Sequence, residues 1–277
     1  RDEARVVASL NHPGIISVLE LGMVPDVIAA ATDGALVGRS PYLVMEYAHH
    51  GTLKSRLSEL DWPEVKAILL ALLDALAHAH ARGVVHLDIK PTNLLLGCGA
   101  RPPSSLVEGL RLTDFGLSWQ GRAPGRAERR AELGGTLGRM APEQIQAAWR
   151  EYGPWTDLYA IGAMVWQYAT GRKPFTGNTR ASMLVAPLTC ELPAFEPMRA
   201  LPKGLEDWLR VMMARCPSDR YLIAADAQSA LRTLTESSYR TPTALPSWKT
   251  KHLPRHALGD VGLGLYGLRS VPFVARL

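Results

Sequence analysis

The sequence predicts an α+β fold, a small strand pair followed by a mainly helical body, on three observations. Residues 15–21 and 42–47 are short runs of β-type character bounded by turn-forming residues. From Asp61 to the Gly83 stop, apolar side chains recur at helical spacing, and the same period returns near 156–170, 205–214 and 224–234. Between the first two long helices lie polar clusters that follow neither period.

Taken in order, Ala4, Val7, Ala8 and Leu10 share one helical face, and Asn11-His12-Pro13-Gly14 ends that helix. The chain thus opens inside a helix, with no capping residue before it. The two strands follow, joined by a Gly- and Ala-containing stretch that reads as an extended loop. Asp61 and Glu64 suit a capping box, and Val65, Ile68, Leu69, Leu72, Leu73 and Leu76 form one apolar face. A second helix is expected from Thr156 or Asp157 to Thr170, with Gly171 as its C-cap and Pro174 beyond. After residue 237 the chain is rich in Pro, Gly, Ser and Thr, which fits a linker. No internal repeat is evident.

A chain of 277 residues that is 47% hydrophobic supports a sizeable core. Cys98, Cys190 and Cys216 lie far apart without CxxC spacing, which argues against a disulfide framework and a zinc site. Reduced thiols and a cytoplasmic compartment are expected. The net charge of +5 comes without a long basic run or aromatic interleaving, so a solvated surface is expected rather than a nucleic-acid interface. The most apolar stretch, 68–77, is short and broken by Asp74, and the N-terminus carries no secretion pattern. No membrane span is expected.

The chemistry concentrates in His86-Leu87-Asp88-Ile89-Lys90-Pro91-Thr92-Asn93. A carboxylate, an amine two positions on and an amide five positions on can converge to accept a hydroxyl proton, neutralise a phosphate and hold a metal. Downstream, Asp114-Phe115-Gly116 follows the strand-like 110–113, a second carboxylate at a strand end that suits Mg²⁺. Taken alone, that triplet reads first as a strand-to-turn junction, and only its order and spacing among the other motifs change this. Gly135-Thr136, Met140-Ala141-Pro142-Glu143, Asp157 and Arg220 then follow in order.

This ordered set resembles the eukaryotic-type protein kinase family, bacterial serine/threonine kinases included, from Glu3 to about residue 234. The resemblance implies a kinase-like fold: a partial N-lobe and hinge over 1–48, a helical C-lobe over 49–236, and a linker over 237–277. It implies ATP and Mg²⁺ as cofactors, a protein substrate with a Ser or Thr acceptor, and a place in signal transduction by phosphorylation. Asp88 becomes the catalytic base, Lys90 the partner of the transferring phosphate, and Asn93 and Asp114 the Mg²⁺ ligands. Lys90 and Thr136 point to serine/threonine rather than tyrosine specificity. Glu143 and Arg220 resemble a buried structural ion pair. Asp157 resembles the helix-start acid that braces the catalytic loop, with a plain N-cap as the other reading. In Pro41-Tyr42-Leu43-Val44-Met45-Glu46-Tyr47-Ala48, Met45 stands at the gatekeeper position and the backbone of Glu46 and Ala48 at the adenine contacts. Leu95 would floor the adenine pocket or simply belong to the core. Glu3 takes the position of the glutamate that pairs with an ATP-binding lysine, or is an exposed helical acid.

The pattern departs from the family at several points. Only two residues precede Glu3, where the family places its glycine-rich loop and lysine strand, so an N-terminally truncated domain with negligible activity by itself is expected. The remaining sheet would expose an edge and an apolar face. Gly262-Leu263-Gly264-Leu265-Tyr266-Gly267 matches a glycine-loop pattern but lacks the Val and the Ala-x-Lys that should follow. The final stretch, 267–277, resembles the junction at which an ATPase-type module begins in large bacterial kinases, with Ala275 in place of the usual Gly. Leu87 replaces the common arginine before the catalytic aspartate. The segment 117–134 is arginine-rich, has Ser118 as its one hydroxyl, and hints at acidic substrates. Arg139 stands where a Tyr is common. The alternative to a kinase is a pseudokinase, a binding module that keeps the fold. The four retained catalytic residues favour the enzyme.

Overall fold

The computed structural model describes residues 10–32, 35–98, 105–115 and 138–234, with the backbone of 239–240. The expected opening helix with Glu3, the Gly135-Thr136 pair, Ser118 and the glycine pattern at 262–267 lie outside the described residues.

Strand β1 (Val18–Met23) pairs antiparallel with β2 (Pro41–Met45), with Leu21 opposite Leu43, Gly22 opposite Tyr42, and an irregularity between Val18 and Glu20. A Cβ at Gly22 would fall 2.4 Å from the end of the Tyr42 side chain, so a larger residue there would displace that ring. The first strand begins three residues later than the spacing predicts. Ile15 and Ile16 leave the hairpin for the body: Ile15 bridges Leu112, the Ile16 N–H donates to the Leu112 carbonyl at 3.0 Å, and both side chains are buried. The second strand ends early because Glu46 turns back on Ser17. The Glu46 N–H donates to the Ser17 carbonyl at 3.3 Å, and its carboxylate accepts from the Ser17 N–H at 2.9 Å. The expected extended loop between the strands contains a short helix, α1 (Asp26–Ala30).

The body starts with α2 (Leu53–Arg56) and the long α3 (Trp62–His80). The Asp61 carboxylate accepts from the Glu64 N–H and the Glu64 carboxylate from the Asp61 N–H, each at 2.9 Å, so two orphan donors at the helix start are satisfied. The expected apolar face, Val65 to Leu76, is buried as read. A short helix, α4 (Pro142–Ile145), then leads to α5 (Pro154–Thr170).

Helix α5 begins two residues before Thr156 because Pro154 in the first turn already has a helical φ and the Gly153 N–H donates to Thr156 Oγ1 at 3.2 Å. It ends at Gly171, whose φ of 70° is left-handed. Nearly every α5 residue is buried, as expected of a helix at the centre of a body. Against it lie α7 (Leu205–Met212) and α8 (Ala224–Thr233), while α6 (Arg180–Thr189) contacts α4. Helix α7 packs on α5 and α8 on α3, and the Trp208 indole N–H donates to the Ala227 carbonyl at 3.0 Å, tying α7 to α8. Helix α6 escapes the sequence pattern because its last turn contains Pro187 and it buries little else.

Two further strand pairs are short. Strand β3 (Leu94–Leu95) pairs antiparallel with β4 (Arg111–Leu112), and β5 (Leu201–Pro202) with β6 (Tyr239–Arg240). Bridges from Ala48 to Cys98 and from Thr52 to Leu95 strap the chain leaving β2 onto the β3 segment. Among the described residues no helix is long and apolar enough to cross a membrane.

Candidate active site

The loop between α3 and β3 is held from below by one carboxylate. Asp157, in the first turns of α5 and fully buried, accepts from the His86 N–H at 2.9 Å and the Leu87 N–H at 2.8 Å, and pairs with His80 Nε2 at 2.8 Å. Gly153, not Asp157, occupies the N-cap position. Leu87 takes a left-handed φ of 67°, costly for a residue with a Cβ, and both of its backbone polar groups are engaged. Its N–H meets Asp157, and its carbonyl accepts from Gln144 Nε2 of α4 at 2.8 Å. His86 Nδ1 accepts from the Asp88 N–H at 3.2 Å, so Nε2 carries the proton it donates to the Thr113 carbonyl at 3.0 Å.

Above this brace the polar side chains converge. Lys90 Nζ pairs with Asp88 Oδ2. Asn93 Nδ2 donates to the Asp88 carbonyl at 3.0 Å and approaches Asp88 Oδ2 at 3.4 Å. The turn of 3₁₀ helix over Pro91–Asn93 brings the amide back toward the aspartate.

The second carboxylate arrives through the β3–β4 pair. Leu94 lies opposite Leu112, and the Thr113 N–H donates to the Asn93 carbonyl at 2.9 Å, so Asp114 follows directly on the residue facing Asn93. Asp114 has a left-handed φ of 66°, and Phe115 beside it is buried with its ring 4.7 Å from that of His86.

Asn93 and Asp114 supply oxygen donors of the hard type that Mg²⁺ takes. Among the described residues no group of three or more His, Cys, Asp or Glu could hold a metal by itself. Two such donors leave most of an octahedral shell to other oxygen ligands, such as water or phosphate.

At the other margin of the site, Met45 is half-buried against the core and Leu95 is buried within it. Glu46 pairs with Arg111 at 3.3 Å, fixing the segment between β2 and α2 to β4. Among the described residues the Ala48 N–H has no hydrogen-bond acceptor, while the flanking His49 N–H donates to Gly97 and His50 to Leu96. Burial pushes the neighbouring Cys98 thiol up to about 11, with Glu46 adding to the shift and Arg111 opposing it.

Glu143 and Arg220 meet away from this chemistry, in a bidentate pair at 2.8 and 3.0 Å, each side chain at most 1% exposed. Thr156 Oγ1 donates to Glu143, and the carbonyls of Ala214, Arg215 and Trp155 take the other guanidinium protons. Arg220 also lies 4.9 Å over the Tyr159 ring, whose phenol is raised in pKa, chiefly by burial.

The structure thus brings Asp88, Lys90, Asn93 and Asp114 to one place, puts Asp157 beneath them and Met45, Glu46, Ala48 and Leu95 along one margin, and sets Glu143 and Arg220 apart. His80 and Gln144, which brace the loop, escape sequence reading because they sit 77 and 57 residues from their partners.

The family model for the protein kinase domain matches residues 1–232. The serine/threonine-protein kinase PknL of Mycobacterium tuberculosis is 31% identical over 273 residues, covering 97% of this chain and 61% of that protein. PrkC of Bacillus subtilis is 29% identical over 84% of this chain and 33% of its own length. The kinase pkn3 of Myxococcus xanthus is 30% identical over 87% of this chain and 43% of its own length. The chain therefore spans less than two thirds of the length of these relatives.

Proposed function

Because the chain belongs to the protein kinase family, we propose that its protein transfers the γ-phosphate of ATP to serine or threonine hydroxyls of a protein substrate. The observation that supports this most is the convergence of Lys90 and Asn93 on Asp88, with Asp114 carried to the same place by the β3–β4 pair.

In this reading Asp88 accepts the proton of the attacking hydroxyl. The Asn93 amide and the Asp157 brace keep its carboxylate in place, so little reorganisation is needed at the moment of transfer. Lys90, paired with Asp88, places positive charge where the transferring phosphate would sit. Asn93 and Asp114 would hold Mg²⁺, which when bound neutralises phosphate charge. The open Ala48 N–H and the Glu46 carbonyl would take the adenine edge, with Met45 and Leu95 as apolar walls. Glu3 and Thr136 belong to the same proposal as the lysine partner and the specificity residue, and a cytoplasmic setting suits the three free thiols.

The test is phosphate incorporation into Ser- and Thr-containing peptides by the longest polypeptide that carries this chain, beside its Asp88→Asn variant. The variant is expected to slow transfer by about 10²–10⁴-fold, the ordinary contribution of a general base, while Mg²⁺-ATP affinity stays within about twofold. Equal rates for the two proteins would remove Asp88 from the mechanism.

A further inference from the structure

A cavity of about 570 Å³ opens beside the catalytic loop, and the transfer chemistry leaves it unassigned. Pro91 of the loop lines one side and Gln167 of α5 another, while Lys54, Arg139 and Arg199 contribute three cations. No carboxylate is among its described lining residues.

The two guanidinium groups are held by neutral acceptors. Arg139 donates to Gln167 Oε1 at 2.9 Å, and its buried Nε has no hydrogen-bond partner. Burial lowers its pKa and the charge of Asp88 opposes that shift, yet a guanidinium keeps its proton in a protein. Arg139 also lines the small hollow around Asp88, so the cavity and the catalytic carboxylate share a wall. Arg199 lies 4.5 Å over the Tyr168 ring, donating to the Leu60 carbonyl at 3.2 Å and the Ser58 carbonyl at 2.7 Å. Those neutral acceptors fix its position and leave its charge intact. Lys54 is exposed on α2 and makes no ion pair among the described residues. Asp61 and Glu64 act on Tyr168 at a distance, and neither lines the cavity.

A half-enclosed cavity with two fixed guanidinium groups, an exposed lysine and no carboxylate among its described lining residues favours an anionic guest and rejects a cationic one. We propose that it is a substrate-reading subsite that takes an Asp or Glu side chain of the protein substrate near the acceptor hydroxyl. The inference rests on the phosphotransfer reading for the identity of the guest as a substrate. Arg139, Lys54 and Arg199 are then specificity-determining residues.

The experiment measures fluorescence-anisotropy binding of two labelled peptides that share one central Ser, one flanked by Asp and Glu, the other by Lys. Phosphate incorporation from ATP is followed in parallel. The acidic peptide is expected to bind about tenfold more tightly, with the preference shrinking as salt rises. Lys54→Glu, at an exposed position, should cut the preference to about threefold or less, and Lys54→Glu with Arg199→Gln should abolish it. Equal binding of the two peptides, or a preference that neither variant moves, overturns the subsite. With the longest polypeptide that carries this chain, acidic-peptide binding without phosphate incorporation leaves the subsite standing and defeats the transfer reading; incorporation without acidic preference does the reverse.

Discussion

In the β1–β2 hairpin, Leu19, Leu21 and Met23 are 66%, 46% and 45% exposed, and no residue of either strand is fully buried. In the helical body, α5 is buried on nearly every side and even its charged neighbours are enclosed. Among the described residues the hairpin is fastened by backbone contacts, Ile16 to Leu112 and the Ala48–Cys98 bridge, and by Val18 and Met45 at its end against the core, whereas the body is joined by continuous apolar packing. The parts of the site therefore draw their rigidity from different sources. Asp88, Asn93 and Asp157 are positioned by the body, and the segment 45–48 is positioned by the strap between the two regions.

The largest expected effect lies deepest in the body. Glu143→Ala leaves the Arg220 guanidinium buried without its partner and should lower unfolding free energy by about 3–5 kcal/mol. A denaturant midpoint unchanged within error would mean that the pair is not enclosed as the structure has it.

The next pair of substitutions sets the two regions side by side. Leu73→Ala removes fully buried atoms from α3 and should cost about 2–5 kcal/mol. Leu21→Ala removes a half-exposed side chain from β1 and should cost about 0.5 kcal/mol. Similar losses at the two positions would show that the hairpin shares the body's packing, and the contrast would collapse.

The smallest effect tests the strap between them. Cys98 is buried, with its thiol pushed up to about 11, while Cys190 and Cys216 are exposed. A raised pKa leaves little thiolate below it, so alkylation at about pH 8 should label Cys190 and Cys216 and spare Cys98 until denaturant is added. Rapid labelling of Cys98 in the native protein would mean that the strap opens and the hairpin moves independently.

What could be read from the sequence was local. The capping box of α3, its apolar face and the Gly171 stop of α5 each depend on residues within a turn or two, and each appears in the structure. The strand boundary at 15–18 was misread because Ile15 and Ile16 take their partner from Leu112, far along the chain. No period within the segment records such pairing. The site divides the same way. Asp88, Lys90 and Asn93 lie within one short loop and are legible as a cluster, whereas Asp114 is legible only by its order and spacing after that loop. The bracing by His80 and Gln144 and the cations around the cavity depend on tertiary contacts alone.

The claim that these residues form a nucleotide-phosphate site is tested most directly by calorimetric titration of Mg²⁺-ATP into the protein and its Asp114→Ala variant, with and without Mg²⁺. The account predicts that the variant, or removal of Mg²⁺, weakens binding by about tenfold or more, since oxygen ligands of this kind carry the metal contact. Binding that is equally tight with Asp114 replaced and with Mg²⁺ removed would contradict it.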